Sequence, residues 1–244
     1  MVDTSKAQSI AEDFAPILHF HPEEGGFCCL PSDPEEVYQE YRKDWSRFRG
    51  RPAPDVLKEN TPCYYEFWQR ETFVHLRYWF WYNYNRFPGG RFGIGEHIGD
   101  WEHVEIRWYS DYDGDEVILW LLSNHLEFRQ ASKPTRLRLP ECPTTRPTLT
   151  ERQIHAWVAL GSHANYPAPN SEPYCFARLW CDDIASGGPM WDTGSLLRPL
   201  DQAKFSEYEG RWGNRKSPRS PTNSYNNPWR NAPNHLPVRA LTDS

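Results

Sequence analysis

Residues 72–85 read TFVHLRYWFWYNYN, a segment dominated by aromatic and β-branched side chains. Side chains of these kinds fit the pleated surface of a sheet, and the segment lacks the polar face of an amphipathic helix. Three more segments predict strands, since Trp101–Tyr109 alternates in polarity and residues 117–122 and 154–160 are short apolar runs. The chain is therefore expected to consist mainly of β-strands.

Turn-forming residues separate the predicted strands, and the 22 Pro and 15 Gly among 244 residues leave little room for long helices. Asp113-Gly114 is typical of a hairpin turn between the strands at 101–109 and 117–122. Two short helices are predicted, over residues 5–15 and 34–47. The predicted fold class is an all-β antiparallel sandwich with long loops and one or two short peripheral helices.

Composition and charge limit the domain organisation and the classes of partner. Hydrophobic residues make up 38% of the chain and aromatic residues 15%, so large rings replace aliphatic side chains in the core. A single domain is predicted over residues 1–244, with an irregular C-terminal wrap from about residue 206. The net charge of -6 argues against a nucleic-acid partner. The five basic residues from Arg211 to Arg230 are interpreted as a solvated surface segment rather than an anion-binding arm.

The six cysteines form no Cys-x-x-Cys pair and are interpreted as free thiols. The adjacent Cys28 and Cys29 are expected to pack within a strand. Residues 1–14 carry four charged side chains where a signal peptide needs an apolar core, and no segment reaches the roughly 18 apolar residues of a membrane span. These observations predict a cytoplasmic protein without a transmembrane segment.

The segment GEHIGDWEH, residues 95–103, combines two histidines and three carboxylates just as a strand begins. Alternate residues of a strand share a face, which places Asp100 and Glu102 together on the inward, apolar face. Two buried carboxylates repel each other, so a cation is expected between them. His97 can fold back from the preceding turn to add an imidazole nitrogen.

The set formed by His97, Asp100 and Glu102 supplies one nitrogen ligand and two carboxylate ligands. This combination suits Mg²⁺, Ca²⁺ or Mn²⁺ with water completing the shell, and it is less typical of a closed zinc site. An arginine is the alternative partner for the two acids, and three candidates lie close in sequence: Arg77, Arg86 and Arg91. Spacing alone leaves both interpretations open.

Further histidines lie near the ends of predicted strands, where a rigid sheet can fix side chains for binding or catalysis. They are His163 in GSHANY, His125 after the run at 117–122, and His19 and His21 on either side of Phe20. His163 and His103 are the candidate proton carriers, with Asp100 as a third candidate catalytic residue.

The aromatic segment also contains the candidate ligand-binding residues. Core packing is one interpretation of its rings. In the other, its outward half lines a cleft for a sugar ring, a lipid or another flat ligand, with an asparagine facing the metal. The candidates are Trp79, Trp81, Tyr82, Asn83, Asn85 and, beyond this segment, His125.

Several segments together resemble the vacuolar protein sorting sixty-two-like family: FAPILHFHPE at 14–23, GDWEH at 99–103, GSHANY at 161–166, GRWG at 210–213 and SPRSP at 217–221. A more distant resemblance is to the necrosis- and ethylene-inducing toxin-like proteins, whose heptapeptide Gly-His-Arg-His-Asp-Trp-Glu has the spacing of His97, Asp100 and Glu102. That family is a β-sandwich with a bound Mg²⁺ or Ca²⁺ needed for lytic action on plant membranes. The resemblance implies that these three residues are direct or water-mediated metal ligands and that Asn85 stands near a further acidic ligand of the toxins.

Two functions of different classes follow from these residues. The first is an intracellular divalent-metal-dependent enzyme, a hydrolase or a lyase or cyclase, whose ion acts as a Lewis acid on a small oxygen-bearing substrate. The alternative is a metal-dependent module that binds a glycan or a sphingolipid head group or damages membranes. A purely structural ion is the third interpretation.

Overall fold

The computed structural model describes residues 4–51, 56–70, 73–88, 95–110, 116–122, 137–138, 153–176 and 179–223. The strands are β1 (Ile17–His19), β2 (Cys63–Arg70), β3 (Phe73–Asn85), β4 (His97–Ser110), β5 (Glu116–Leu122), β6 (Leu137–Arg138), β7 (His155–Val158), β8 (Asn165–Tyr166), β9 (Cys175–Phe176), β10 (Trp180–Cys181), β11 (Met190–Asp192) and β12 (Leu197–Pro199). The α-helices are α1 (Thr4–Asp13), α2 (Glu24–Phe27) and α3 (Pro34–Tyr41). Short 3-10 helices cover Trp45–Arg47, Thr193–Leu196 and Leu200–Gln202.

The strands form a six-stranded sheet in the order β12-β2-β3-β4-β5-β6, a four-stranded sheet in the order β11-β1-β7-β8, and the hairpin β9-β10. The predicted all-β class is confirmed. The sheets are mixed rather than wholly antiparallel, because β1 pairs with β7 and β12 pairs with β2 in parallel. Each of these pairs joins segments far apart in the chain, so no tight hairpin fixes their relative direction.

The main core lies between the two sheets. Leu18 of β1 and Trp191 of β11 belong to the same buried cluster as Tyr78 and Phe80 of β3 and Val104 of β4. These large rings bury much apolar area in a chain with few aliphatic residues, and each can contribute more than an aliphatic side chain. The two sheets therefore pack as a sandwich.

A second core covers the opposite face of the large sheet. Trp79, Trp81 and Trp101 pack there against Phe205 and Trp212 of the C-terminal segment. Residues 206–223 are otherwise irregular, as the sequence predicts. Both faces of the central strands are therefore buried, and the C-terminal segment forms a third layer over the sandwich.

The predicted strands are found with shifted ends. β4 begins at His97 instead of at Trp101, and β7 is shorter than the predicted run at 154–160. Strand β2 is absent from the predictions because its eight residues, CYYEFWQR, show neither a clear alternation nor an apolar run. β4 pairs antiparallel with β5, as the hairpin predicted between the second and third runs requires, but its predicted turn at Asp113-Gly114 lies outside the described residues.

Both predicted helices are present, as α1 and α3. Asp33 caps α3 by accepting a hydrogen bond from the Glu35 backbone N–H at 2.8 Å, but α3 ends at Tyr41. None of the helices in the described part of the chain has the length and apolar content that a membrane span requires. The single domain over residues 1–244 stays a prediction.

The cysteine interpretation needs two corrections. Cys175 and Cys181 form a disulfide, because β9 and β10 place them directly opposite each other. Cys28 and Cys29 do not lie in a strand, since they follow the short helix α2. They and Cys63 are free and buried, and Cys142 lies outside the described residues.

Candidate functional site

The candidate site begins at the first residues of β4. Asp100 and Glu102 lie opposite Tyr82 and Phe80 of β3 and are buried, with 7% and 6% of their surface exposed. Their face is the one that packs against the small sheet, which agrees with the alternation seen in the sequence. Two carboxylates are thus placed in the main core near one end of the sandwich.

Gly99 makes this placement possible. Its φ is +71°, and a Cβ at this position would lie 2.4 Å from Cη2 of Trp81 and 2.9 Å from the Trp212 carbonyl oxygen. Only a glycine adopts this conformation cheaply in so tight a space. The Asn83 and Gly99 pair is missing from the ladder between β3 and β4, and the pairing continues in the same register at Tyr82 and Asp100.

His163 reaches the same place from the connection between β7 and β8. Its own φ is +58°, which is unusual for a residue other than glycine, and Gly161 two residues earlier has φ +66°. The connection is held by the Gly161 backbone N–H, which donates to Oε2 of Glu24 at 2.9 Å, and by Arg86, whose backbone N–H donates to the Gly161 carbonyl at 2.8 Å. A strained loop position therefore fixes a fully buried imidazole.

The two ring nitrogens of His163 face different groups. Nδ1 lies 3.0 Å from Oδ2 of Asp100, while Nε2 lies 3.5 Å from Oε1 of Glu24 and 3.9 Å from Sγ of Cys29. The imidazole ring also stacks on the Tyr82 ring, with centroids 3.8 Å apart and planes within 5° of parallel. The imidazole is thus held in one orientation from three sides.

Burial and ion pairing act against each other at this histidine. Burial favours neutral His163, but the hydrogen bonds between the protonated ring and its partners, the acceptors Asp100 and Glu24 and the two thiols, outweigh it and hold the pKa of His163 well above its usual value. The pKa of the Tyr82 hydroxyl is raised well above its usual value, first by burial and then by the charges of Glu102, Glu24 and Asp100, which the charge of His163 opposes. The cluster is therefore rich in negative charge around one imidazole.

Cys28, Cys29 and Glu24 are members of the cluster that the sequence reasoning did not connect with His163. The Cys28 and Cys29 sulfurs are 3.8 Å apart and lie 3.4 Å and 3.1 Å from the Tyr84 carbonyl oxygen. The hydrogen bond from Cys29 lowers the pKa of Cys28 to about 6 against the effect of burial, while burial raises the pKa of Cys29. The adjacency of Cys28 and Cys29 was the feature of the sequence that could have indicated this cluster.

The three predicted metal ligands are not brought into mutual contact. Among the described residues, the group of three or more His, Cys, Asp or Glu side chains with all ligand atoms within 4.8 Å is Cys28, Cys29 and His163. The Nδ1–H of His97 donates to the Gly99 carbonyl oxygen at 2.7 Å, which leaves Nε2 as the nitrogen that can accept. Direct binding of one ion by His97, Asp100 and Glu102 therefore requires side-chain movement or bridging water.

The alternative arginine partners of the two acids lie elsewhere. Arg77 pairs with Glu105 at 2.5 Å on the opposite face of β4, and Arg86 lies 3.8 Å from Glu96. Arg91 lies outside the described residues. The cationic group found at Asp100 is the His163 imidazole.

The predicted ligand-binding residues lie in different surroundings. Trp79 and Trp81 are fully buried in the second core, where their indole N–H groups donate to Glu66 at 3.0 Å and to Asn83 at 2.7 Å. Tyr82 belongs to the His163 cluster. Asn85 lies opposite His97 across the strands and donates to the Gly95 carbonyl at 2.6 Å.

The other candidate histidines do not join the cluster. His103 is buried against Trp79, with ring centroids 4.8 Å apart, on the face of β4 opposite to Asp100. His19 stacks on Trp157 and lies 2.7 Å from His155, while His21 lies 3.7 Å from Asp183. His125 lies outside the described residues.

Comparison with known proteins finds two relatives in Saccharomyces cerevisiae. Vacuolar protein sorting-associated protein 62 is 26% identical over 173 residues, which cover 59% of this chain and 36% of that protein. The putative vacuolar protein sorting-associated protein TDA6 is 26% identical over 171 residues, which cover 58% of this chain and 35% of that protein. The chain therefore spans little more than a third of the length of these relatives. No family model matches it.

Solved structures similar to this chain include two proteins of the toxin-like group. The non-toxic HaNLP3 protein has a TM-score of 0.45 at 16% identity, covering 83% of this chain and 77% of that chain. NLPPya in complex with mannosamine has a TM-score of 0.38 at 11% identity, covering 83% and 78%. The relatives in Saccharomyces cerevisiae confirm the resemblance to the vacuolar protein sorting sixty-two-like family noted in the sequence.

Proposed function

We propose that this protein is a cation-dependent binding module, in which a divalent metal ion at the start of β4 joins the chain to a glycan or a sphingolipid head group. The observation that carries the proposal is the buried pair Asp100 and Glu102 beside the Tyr82 hydroxyl. Hard divalent cations take carboxylate, hydroxyl and water oxygens as ligands. A bound ion with open positions can therefore take hydroxyl oxygens from a sugar or a head group.

The Tyr82 hydroxyl supports a hydrated ion at this place. It is fully buried and forms no hydrogen bond, although the charges of Glu102, Glu24 and Asp100 act on it. A buried hydroxyl without a partner costs about 1–3 kcal/mol, and such groups in native proteins call for an explanation such as an ion or an ordered water. A hydrated cation between the carboxylates supplies the missing partner.

The donor set fits a hydrated ion better than a dehydrated one. The ligand atoms of His97, Asp100 and Glu102 do not all lie within 4.8 Å of one another, but Mg²⁺ keeps several water ligands and Ca²⁺ tolerates flexible geometry. The Nδ1–H of His97 is held by the Gly99 carbonyl, which orients Nε2 as an acceptor. Asp100 and Glu102 would hold the ion, with His97 bound through water.

The remaining candidates lie apart from the carboxylates. His103, a predicted proton carrier, lies on the other face of the sheet from Asp100, and the C-terminal segment covers Trp79 and Trp81. The apolar wall and one of the proton carriers expected for an enzyme are thus separated from the carboxylates. The metal-dependent enzyme and the cytoplasmic location stay predictions.

Cation dependence is tested by thermal unfolding of the full chain in EDTA and in increasing Ca²⁺ or Mg²⁺. At about 100 times its dissociation constant, an ion adds about 2.7 kcal/mol of stability, which raises Tm by roughly 5–11 °C for a chain of this size. Glu102→Gln should lose most of this rise. Glu96→Gln is the matched control because its carboxylate is directed at Tyr84 and Arg86, and it should keep the rise.

Ligand binding is tested separately, by titrating glucosamine and sphingolipid-containing vesicles into the cation-loaded and EDTA-treated protein. The proposal expects binding that EDTA and Glu102→Gln abolish. If the cation raises Tm but neither ligand binds, the ion is structural. Equal Tm values in EDTA and in saturating cation would refute the proposal.

A further inference from the structure

We propose that Cys28, Cys29 and His163 form a second metal site, which binds a zinc ion through two thiolates and the Nε2 atom of the imidazole. This inference goes beyond the proposed function, because it uses the opposite ring nitrogen from the one that faces Asp100. The three residues are the group of metal-binding side chains that the described part of the chain brings within 4.8 Å.

The distances match the edges of a zinc tetrahedron. With Zn–S bonds of about 2.3 Å and a Zn–N bond of about 2.0–2.1 Å, tetrahedral geometry needs roughly 3.8 Å between two sulfurs and roughly 3.6 Å between sulfur and nitrogen. The Cys28 and Cys29 sulfurs are 3.8 Å apart, and the Cys29 sulfur lies 3.9 Å from Nε2 of His163. These two edges therefore lie within a few tenths of an ångström of tetrahedral geometry, and the third, from the Cys28 sulfur to Nε2 of His163, is within 4.8 Å.

The His163 ring is oriented as a metal-ligating histidine is. Its Nδ1 is hydrogen-bonded to Asp100 at 3.0 Å, which is the usual way in which a carboxylate fixes the tautomer and directs Nε2 towards a metal. Stacking on Tyr82 holds the plane of the ring, and the positive φ of His163 is a local strain of the kind found at ligand clamps. The hydrogen bond to Asp100, the stacking on Tyr82 and the backbone strain all fit His163 as a zinc ligand.

Glu24 stands beside the fourth position of this site. Its Oε1 lies 3.5 Å from Nε2 of His163, and its carboxylate accepts hydrogen bonds from the backbone N–H groups of Gly161 and Cys29. These bonds hold a negative charge next to the proposed dication, where it acts as a ligand or binds a metal-coordinated water. The ion would connect the end of α2 to the connection between β7 and β8.

Burial distinguishes this site from a cysteine nucleophile. Cys29, His163 and Glu24 have 0% of their surface exposed, and Cys28 has 6%. A catalytic thiol must meet its substrate, whereas a structural zinc ion is held by protein ligands and needs no access for a substrate. The same thiol and imidazole geometry therefore fits metal binding better than covalent catalysis.

The first test measures zinc in the full chain after dialysis against excess zinc and then against metal-free buffer. The proposal expects one zinc ion per chain, and X-ray absorption of the unmodified protein is expected to show two sulfur ligands at about 2.3 Å. Zinc bound with no sulfur ligand, or no retained zinc, overturns the proposal. This measurement needs no variant and is independent of whether any substitution disturbs folding.

The second test assigns the ligands by substitution. Cys28→Ser and Cys29→Ser should each weaken zinc binding more than about 100-fold, beyond the roughly 10–100-fold loss typical of an outer-shell change. Cys63→Ala is the matched control, since Cys63 is also free and buried but lies in β2, and the double change Cys175→Ser with Cys181→Ser controls for the disulfide. Controls that lose zinc equally overturn the assignment.

Two outcomes separate this proposal from the binding function proposed above. Glu102→Gln should keep the bound zinc while it loses the Ca²⁺ or Mg²⁺ effect on Tm. Cys29→Ser should lose the bound zinc while it keeps the Ca²⁺ or Mg²⁺ effect on Tm. If mass spectrometry of the native protein shows the loss of two hydrogens in the peptide that carries Cys28 and Cys29, a disulfide between them exists and the zinc site is refuted.

Discussion

Replacing Gly99 by alanine tests whether the interruption at the start of β4 shapes the site. Gly99 has φ +71°, and the added Cβ would lie 2.4 Å from Trp81 and 2.9 Å from the Trp212 carbonyl oxygen. Contacts below 3.0 Å require movement, and neither neighbour moves cheaply, because one is a buried indole and the other is backbone. Gly99→Ala is therefore expected to destabilise the fold.

The magnitude follows from three effects. A left-handed conformation costs an alanine about 1–2 kcal/mol, and overpacking costs about 1–3 kcal/mol. Alanine also reduces the entropy of the unfolded chain, which returns about 0.4–1 kcal/mol. The net loss is about 3 kcal/mol, which corresponds to a decrease in Tm of roughly 6–12 °C for a chain of this size.

The assay is thermal unfolding of Gly99→Ala beside Gly187→Ala. Gly187 is exposed, its φ lies outside the left-handed region, and a Cβ there would meet nothing within 4 Å. Gly187→Ala should change the stability by no more than about 0.5 kcal/mol. If both variants unfold within about 2 °C of the unmodified protein, the steric argument is wrong.

Two further predictions concern the C-terminal layer and a surface histidine. Trp212→Ala should cost about 3–5 kcal/mol, because Trp212 is fully buried against Trp81 and Trp101, and an unchanged urea midpoint would show that the segment does not stabilise the sheet. The pKa of His19 is lowered by burial and then by the His155 ring, so the unfolded chain binds this proton more tightly. The contribution of neutral His19 to the free energy of unfolding is therefore fully present above about pH 6.5. It is lost as pH falls through the lowered pKa that His19 has in the folded state. His19→Gln should therefore show a smaller loss of urea midpoint between about pH 8 and about pH 5, and an equal loss would contradict this.

The local pattern of β4 was predictable because a strand imposes a two-residue period on its side chains. That period alone placed Asp100 and Glu102 on one face, and their burial agrees with it. The partner of Asp100 was not predictable. His163 lies 63 residues away, and its approach depends on the strained connection after β7.

The contacts of the cysteines were also not predictable from the sequence. Sequence spacing gave no reason to pair Cys175 with Cys181, because their proximity comes from the β9-β10 pairing. Cys28 and Cys29 stood out as neighbours in the sequence, but their closeness to His163 depends on how α2 lies against the connection between β7 and β8.

By itself, the sequence determined the β-class, the main strands and the inward carboxylates, because these depend on side-chain type and on the short-range geometry of a strand. Only the tertiary structure decided that both faces of the central strands are buried and that His163 stands between Asp100 and the thiols. Such contacts join segments distant in the chain, and their formation depends on the packing of whole layers rather than on any local pattern.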